Sequence, residues 1–403
     1  MRTLTVLCAV SALLLPATPA FANAGTVQLV SVATDGTRGD NRTYTDIDVD
    51  GTGRYVAFTT RSGNLSPAAP TGGTFIRDLD AGTTTLFAPG GGSAGDPSFD
   101  ATGRYLAYLT DVALDPADTD TTDDAYVTDL QTGVATLAGA DVPGTVWQVR
   151  LSDDGTHVAM IAEGAAYVHD LATGTTTLID GAAHQIDLSA DGRYVVFSTA
   201  TAGLVPDDVP ETPGYGIGPD TDIFVRDLQT GTLDQVTVTY TGGQTSHSDT
   251  TVSISGDGNL VVFASDEDDI VPGDTNVGRH HRDAYVRDRA AGTTTKVSLN
   301  NAGEQIGCIC HEARISADGR HVAFRGVSRD LTPDDTEAWG DIFVRDLLTG
   351  TNTLASPSAT DSDGHSGYPA VSAHGETVAF VSADTSLAPP DDNNRDDAYA
   401  WRR

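Results

Sequence analysis

The stretch IDLSADGRYVVFS (Ile186–Ser198), followed after a polar loop by DIFVRDLQTGTLDQVTV (Asp222–Val238), decides the fold of this chain. In both halves apolar residues alternate with other residues, which is typical of β-strands that bury one face. A turn with Asp191-Gly192 divides the first half and a turn with Thr230-Gly231 divides the second. Glycine accepts the positive φ of such turns without steric cost. One copy therefore predicts four antiparallel strands, A to D in chain order.

This unit recurs along the whole chain. Seven A–B hairpins can be found, and their turn glycines are Gly53, Gly103, Gly155, Gly192, Gly258, Gly319 and Gly375. A repeated four-stranded unit is typical of a β-propeller. The segment VQLVSVATDG (Val27–Gly36) has the pattern of a D strand, and the last copy ends at its C strand. We therefore predict an all-β, seven-bladed propeller of four-stranded antiparallel blades, in which the N-terminal strand joins the last blade.

The N-terminus predicts export. Residues 1–22 carry Arg2, an apolar run and the small-residue motif Ala20-Phe21-Ala22, which together indicate a signal peptide. Residues 23–403 are then expected to form one propeller domain, which we expect to be a monomer. No second apolar run is long enough to cross a membrane. We expect a secreted, extracellular or periplasmic protein.

The charge of the chain bears on its partners. The formal net charge is −34, and such an acidic surface repels phosphate backbones. A nucleic acid is therefore not an expected partner. Two interpretations of the acidity stay open: solubility in an extracellular medium, or binding of cations or of a basic partner.

Strand direction predicts where a site would lie. The A–B and C–D turns, which are short, lie at one end of each blade, and the B–C loops and D–A crossovers lie at the other. Function usually sits on variable loops held by a rigid scaffold. We therefore expect the ligand-binding face at the B–C end. The candidate residues on this face are Trp147, His184, His247, His280, His281, His311, Trp339 and His365.

Four B–C loops share an acidic pattern, with an Asp, a second oxygen donor two residues later and an Asp just before strand C. Oxygen donors at this spacing suit Ca²⁺, although the pattern is not that of an EF-hand. The alternative is that Asp and Asn side chains cap the loops themselves. The residues are Asp118, Asp120 and Asp124 in blade 2, Asp274, Asn276 and Asp283 in blade 5, Asp335, Glu337 and Asp341 in blade 6, and Asp392, Asn394 and Asp397 in blade 7.

Two further features concern cysteine and arginine. Cys308 and Cys310 are expected to form a disulfide after export, because two cysteines usually pair in an oxidising compartment. A metal site with His311, joined by His280 or His281, and free thiols are the alternatives. The Arg-Asp pair within each C strand, such as Arg226-Asp227, is interpreted as a hydrogen-bonded structural pair.

The hairpins, such as Ser316–Phe324, and the C strands, such as Asp341–Asp346, resemble those of TolB-type and related WD-repeat-like propellers. The separate domain that precedes the TolB propeller has no counterpart in these repeats. The resemblance implies a periplasmic or extracellular binding platform, and some relatives carry hydrolase or lyase activity. We expect a scaffold that binds a protein or glycan, with Ca²⁺ as its one candidate cofactor. The alternative is an extracellular hydrolase or lyase that acts on polysaccharide or peptide at the channel mouth.

Overall fold

The computed structural model describes residues 25–206, 221–243, 245, 251–274, 282–335, 339–358, 364–387, 393 and 395–403. The described chain forms seven four-stranded antiparallel sheets, which are the blades of a propeller. The chain enters through β1 (Thr26–Leu29), which belongs to the last blade. The fold class predicted from the repeats is therefore confirmed.

The first four blades follow in chain order, with one short 3-10 helix, Pro89–Gly91, between blades 1 and 2. Blade 1 contains β2 (Thr43–Val49), β3 (Tyr55–Thr60), β4 (Gly73–Asp78) and β5 (Thr83–Phe87); blade 2 contains β6 (Gly95–Phe99), β7 (Tyr105–Thr110), β8 (Asp124–Asp129) and β9 (Val134–Ala138); blade 3 contains β10 (Val146–Leu151), β11 (His157–Ala162), β12 (Ala165–Asp170) and β13 (Thr175–Asp180); blade 4 contains β14 (Ala183–Leu188), β15 (Tyr194–Thr199), β16 (Asp222–Asp227) and β17 (Leu233–Gln235).

The remaining strands build three more blades on the same plan. Blade 5 contains β18 (Val252–Ile254), β19 (Leu260–Ser265), β20 (Asp283–Asp288) and β21 (Thr293–Lys296); blade 6 contains β22 (Ile309–Ile315), β23 (His321–Val327), β24 (Asp341–Asp346) and β25 (Thr351–Leu354); blade 7 contains β26 (Ser366–Val371), β27 (Thr377–Ser382), β28 (Asp397–Arg402) and, as its fourth strand, β1.

The two ends of the chain close the propeller, as the sequence predicts. Strand β1 pairs antiparallel with β28, and Thr26 lies opposite Arg402. Beyond the strands, the Ser31 hydroxyl donates a 2.6 Å hydrogen bond to the Asp397 carboxylate. This junction gives blade 7 the same four strands as the other blades, so its third strand is not exposed as an edge.

The core of six blades is built on an aromatic pair that joins the B and C strands. The two rings stack with centroids between 5.6 and 6.2 Å apart, a favourable distance for offset aromatic contacts. These pairs are directly opposite each other across the strands, as in Phe197 and Phe224. Such cross-strand pairs fix the register of the two central strands of a blade.

The C-strand Asp pairs with a different arginine from the one that the sequence suggested. Arg226 precedes Asp227 in the strand, but Asp227 binds Arg193, which follows the A–B turn, with bonds of 3.0 and 2.6 Å. The Arg226 guanidinium instead donates to the Ile179 carbonyl. The prediction of an adjacent pair was wrong because neighbouring residues in a strand point to opposite faces. The same pairing between hairpin and C strand occurs at Arg54–Asp78, Arg104–Asp129 and Arg320–Asp346.

None of the helical structure in the described ranges could cross a membrane, because it is too short and insufficiently apolar.

Candidate functional site

The innermost strand of each blade faces a central cavity of about 660 Å³. Because the strands have the same register relative to their turn glycines, side chains at equal distances from those glycines form rings around the axis. We name three such rings by their position. The floor ring consists of the residues two positions before each turn glycine. The middle ring consists of the residues five positions before it, and the mouth ring of those seven positions before it.

The members of each ring follow from that count. The floor ring is Gly51, Ala101, Asp153, Ala190, Gly256, Ala317 and Ala373; the middle ring is Asp48, Ser98, Arg150, Asp187, Ser253, Arg314 and Ala370; the mouth ring is Asp46, Asp96, Gln148, Gln185, Thr251, Glu312 and Tyr368.

Direct backbone hydrogen bonds join neighbouring blades at the floor ring. The Ala190 amide donates to the Gly256 carbonyl, and the Gly256 amide donates to the Ala317 carbonyl. Gly51 lies so close to blade 2 that a Cβ there would come within 2.8 Å of the Ala101 backbone. The blades therefore approach one another most closely at the end that carries the A–B turns.

Carboxylates bridge neighbouring blades farther from the floor. Asp48 accepts a 2.8 Å hydrogen bond from the Phe99 amide of the next blade. Asp96 accepts one of 2.7 Å from the Val149 amide in the same way. A side chain stands between the two backbones at these rings, so these inner strands lie farther apart than at the floor, where the backbones bond directly.

Two arginines stand among these acids in the middle ring. The Arg150 guanidinium lies 3.1 Å from the Asp96 carboxylate and also donates to the Val149 carbonyl at 2.6 Å. The Arg314 guanidinium donates to the Val252 carbonyl at 2.9 Å. Both arginines are held by charge-assisted or backbone hydrogen bonds, so the charges in the channel have fixed positions.

Negative charge exceeds positive charge in the cavity wall. Six carboxyl groups line it, those of Asp46, Asp48, Asp96, Asp153, Asp187 and Glu312, against three guanidinium groups, those of Arg150, Arg314 and Arg325. Burial raises the pKa of Asp48 to about 7, even though Arg150 and Arg314 oppose that shift. Burial also raises the pKa of Asp153 to about 6, with further repulsion from Asp187. Burial, assisted by Asp96, raises the pKa of Asp46 as well.

Several polar atoms of the wall lack a hydrogen-bond partner within the described chain. They are Gln148 Oε1, Thr251 Oγ1 and Arg325 Nε. Gln148 is more than nine-tenths buried, with only 6% of its surface exposed, and its other amide atom reaches Gln185 at 3.4 Å. A buried polar atom without a partner costs free energy and often marks a place where a ligand or water binds.

The mouth ring is also strained and partly aromatic. Asp96, Glu312 and Tyr368 have positive φ angles of 43°, 52° and 57°. Each lies at an irregularity in its inner strand, and such bulges redirect side chains. The Glu312 carboxylate accepts a 2.6 Å hydrogen bond from the Tyr368 amide, which fixes both residues. Tyr368 of blade 7 and Trp147 of blade 3 are 44% and 46% exposed at the rim.

His311 is the one predicted histidine that lines the cavity among those that the structure describes. Burial, together with Arg282 and Arg325, lowers its pKa to about 4, so the imidazole is neutral near pH 7. His184, His365 and Trp339 lie outside the cavity wall. His247, His280 and His281 lie outside the described residues.

The acidic loops differ from one another although their sequences look alike. In blade 2, single carboxylate oxygens of Asp118, Asp120 and Asp124 lie within 4.8 Å of one another. In blade 5, the Lys296 ammonium lies 3.0 Å from Asp274 and 2.6 Å from Asp283. The chain itself therefore supplies a cation to the blade 5 acids.

The acid before strand C has a structural contact in three blades. Asp283, Asp341 and Asp397 accept hydroxyl hydrogen bonds of 2.6, 2.7 and 2.6 Å from Ser298, Ser356 and Ser31. Each bond joins the start of a C strand to the segment after the D strand. Asp335 is buried in the B–C loop of blade 6. Asn276, Glu337, Asp392 and Asn394 lie outside the described residues.

Cys308 and Cys310 form a disulfide in the structure and are fully buried in the core of blade 6. The sulfurs pack with apolar residues such as Val297 and Phe324. This arrangement turns both sulfurs away from His311, which faces the channel. It gives no support to the alternative of a shared metal site.

Of the residues that line the cavity, the sequence analysis named Trp147 and His311 but not the charged residues of the inner strands. Arg150, Arg314 and Asp48 occupy positions where period-two alternation places the side chain away from the blade core, and polar residues there resemble ordinary solvated ones. One signal was available: the residue five positions before each turn glycine points to the axis in every blade. Comparing the residues at this position in the seven repeats shows that Asp48, Arg150, Asp187 and Arg314 all face the axis.

Comparisons with known proteins agree with the fold. Residues 32–191, about two fifths of the chain, match the family model described as the lipoprotein LpqB β-propeller domain. No curated protein sequence matches the chain. The β-propeller domain of the trilobed protease from Pyrococcus furiosus is similar in structure, with a TM-score of 0.57 and 11% identity, over 89% of this chain and 95% of that one.

The acylaminoacyl peptidase of Pyrococcus horikoshii is similar as well. Its uncomplexed structure matches 90% of this chain with a TM-score of 0.57 and 12% identity. A second crystal form matches 85% of this chain with a TM-score of 0.55 and 11% identity. The chain spans about half the length of this peptidase, 51% and 49% in the two structures. These likenesses support a β-propeller. The resemblance to TolB-type propellers stays a prediction.

Proposed function

We propose that the protein is a binding module outside the cytoplasm, and that its channel mouth receives part of a protein or glycan ligand. The observation that carries this proposal is the cavity of about 660 Å³ with fixed charges in its wall. Its volume lies within the range of ligand sites in proteins, and polar groups converge in it. The likeness to a lipoprotein propeller domain and the signal-like N-terminus support the location.

The rigidity of the mouth favours binding. Carboxylates tie the inner strand of blade 1 to that of blade 2 and the inner strand of blade 2 to that of blade 3. Glu312 of blade 6 holds the Tyr368 backbone of blade 7 in a strained conformation. A site that is ordered before the ligand arrives loses little entropy on binding. Strained backbone persists where the surroundings enforce it, and it is concentrated at functional sites.

We restrict the calcium proposal to blade 2. There the three carboxylates converge, and the buried Oδ1 of Asp118 lacks a hydrogen-bond partner in the described chain. This donor set suits a hard cation such as Ca²⁺. In blade 5 the Lys296 ammonium already balances the corresponding acids.

The rim tryptophan provides the test. We expect the purified chain to bind members of an array of cell-envelope oligosaccharides and peptides, and Trp147→Ala to weaken that binding at least about tenfold, the effect of a good aromatic anchor. Trp339→Ala is the matched control, because Trp339 is equally exposed at 46% but lies outside the cavity wall. Equal losses in the two variants, or none in Trp147→Ala, would place the site elsewhere.

The same array separates binding from catalysis. Cleavage of an array member by the wild-type chain, detected by mass spectrometry, would favour the alternative of a hydrolase or lyase. Retention without cleavage would favour the binding module.

A further inference from the structure

We infer that the group that enters the channel is cationic, the guanidinium or ammonium of a basic side chain in a peptide segment. The inference rests on the proposed function and names the ligand class for the same site. Three features support it: a carboxylate-rich channel, the buried amide oxygen of Gln148, which has no hydrogen-bond partner in the described chain, and an aromatic rim.

Carboxyl groups outnumber guanidinium groups in the cavity wall. Six carboxyl groups face three guanidinium groups; Asp96 lies 3.1 Å from Arg150 and Glu312 lies 3.9 Å from Arg325. The mouth-ring Asp46 and the middle-ring Asp48 lie on the same inner strand, two residues apart. Within a low-dielectric cavity a cation between them would gain far more than at an open surface.

The hydrogen-bonding groups of the mouth ring also suit a basic side chain. A guanidinium carries five N–H donors and an ammonium three, and neither accepts a hydrogen bond. The part of the mouth ring formed by blades 1 to 4 offers acceptors: Asp46, the Asp96 carboxylate and the buried Gln148 Oε1, which lacks a donor in the described chain. The hydrogen-bond donors of a basic side chain therefore match the hydrogen-bond acceptors of the wall.

The spacing of the rings matches the length of a basic side chain. Two residues along a strand span roughly 7 Å, so a long basic side chain that enters at the mouth ring reaches the middle ring. The exposed ring of Trp147 stands beside Gln148 at the entrance, where the face of the ring can contact a cation that enters.

The electrostatics of the whole molecule agree with a cationic ligand. The net charge of −34 attracts cations over long distances. Six carboxyl groups against three guanidinium groups leave an excess of acids in the cavity wall. A neutral sugar would leave this imbalance in place, whereas a cation would relieve it.

The experiment compares two peptides by isothermal titration calorimetry with the full chain. One is acetyl-Gly-Arg-Gly-amide, and the other carries citrulline, which is nearly isosteric with arginine but neutral. We expect the arginine peptide to bind at least about tenfold more tightly, the effect of about 1.4 kcal/mol. Asp46→Asn and Asp48→Asn should each remove most of this difference. The amide carbonyl that Asp48→Asn introduces can still accept from the Phe99 amide, so the blade contact survives.

The matched control is Asp111→Asn, an exposed acid on the B–C loop of blade 2 outside the cavity wall, which should leave the difference unchanged. The affinity for the arginine peptide should also fall as the pH drops from 8 to 5. Asp48 and Asp153 become protonated in that range. The other charged groups that face the channel are Asp46, Asp96, Asp187, Glu312, Arg150, Arg314 and Arg325. The affinity for the citrulline peptide should change little.

The outcomes separate the two claims. Tighter binding of the arginine peptide, lost in both asparagine variants, supports the inference. Equal binding of both peptides, or no binding of either when the array has given a neutral glycan that requires Trp147, overturns the inference and leaves the binding module standing. An array without any ligand overturns the proposed function, and the inference with it.

Discussion

Blades 2 and 5 carry the same acidic pattern before their C strands and balance it differently. In both, a tyrosine of the C strand donates to the first acid: Tyr126 to Asp118 at 2.8 Å and Tyr285 to Asp274 at 3.0 Å. The residue opposite that tyrosine on the D strand differs. Lys296 lies opposite Tyr285, and Leu137 lies opposite Tyr126.

This one position decides the electrostatics of the loop. The Lys296 ammonium binds two acids whose side chains are only 1% exposed. In blade 2 the leucine supplies no charge, and burial together with Asp118, Asp120 and Asp123 raises the pKa of Asp124 to about 6. The charge balance of an acidic loop therefore depends on a residue more than ten positions away, on another strand.

The largest expected effect comes from making blade 5 resemble blade 2. Lys296→Leu leaves Asp274 and Asp283 buried without their cation, and breaking a buried ion pair in this way costs about 3–5 kcal/mol. The free energy of unfolding, measured in urea at pH 7, checks this. A loss below about 1 kcal/mol would show that the ammonium does not stabilise the loop.

A smaller effect is expected in blade 2, where Asp124→Asn removes a charge that its surroundings disfavour. The folded pKa of about 6 lies above the ordinary value of 3.8, so the folded chain holds a proton that the unfolded chain loses between pH 4 and 6. The wild-type protein therefore loses stability as the pH rises through that range. Since Asp124 is only partly buried, solvent screening reduces the effect to about 1 kcal/mol.

Urea unfolding of both proteins at pH 4 and pH 7.5 measures this difference. The asparagine variant should match the wild type at pH 4 and exceed it at pH 7.5. A gain of the same size at both pH values would point to a cause other than titration of Asp124.

Much of the fold could be predicted because its signals are local. The hairpin around Gly192 and the C strand at Ile223 and Val225 lie within one repeat, and the period-two pattern is sufficient to define them. Seven copies and a leftover N-terminal strand then lead to a closed propeller.

The channel could not be predicted in the same way. Asp48, Arg150 and Arg314 lie on three different blades, and only ring closure brings them together. The Asp227 partner was missed for a related reason, since Arg226 is next to it in sequence but Arg193 is next to it in space. Pairing across a sheet depends on register, which one repeat read alone does not reveal.

The smallest expected effect concerns calcium in blade 2. Three converging carboxylates should bind Ca²⁺ weakly, with a dissociation constant of the order of 10⁻³ M as in extracellular modules. At 1 mM, Ca²⁺ should therefore raise the free energy of unfolding by only about 0.4 kcal/mol. Thermal unfolding with and without Ca²⁺ measures the shift. Leu137→Lys places an ammonium where blade 5 has Lys296, so it should remove the response to Ca²⁺ and lower the pKa of Asp124. Magnesium at the same concentration controls for ionic strength. A calcium shift that persists in Leu137→Lys would place the ion elsewhere, because one loop cannot balance its acids with both cations at once.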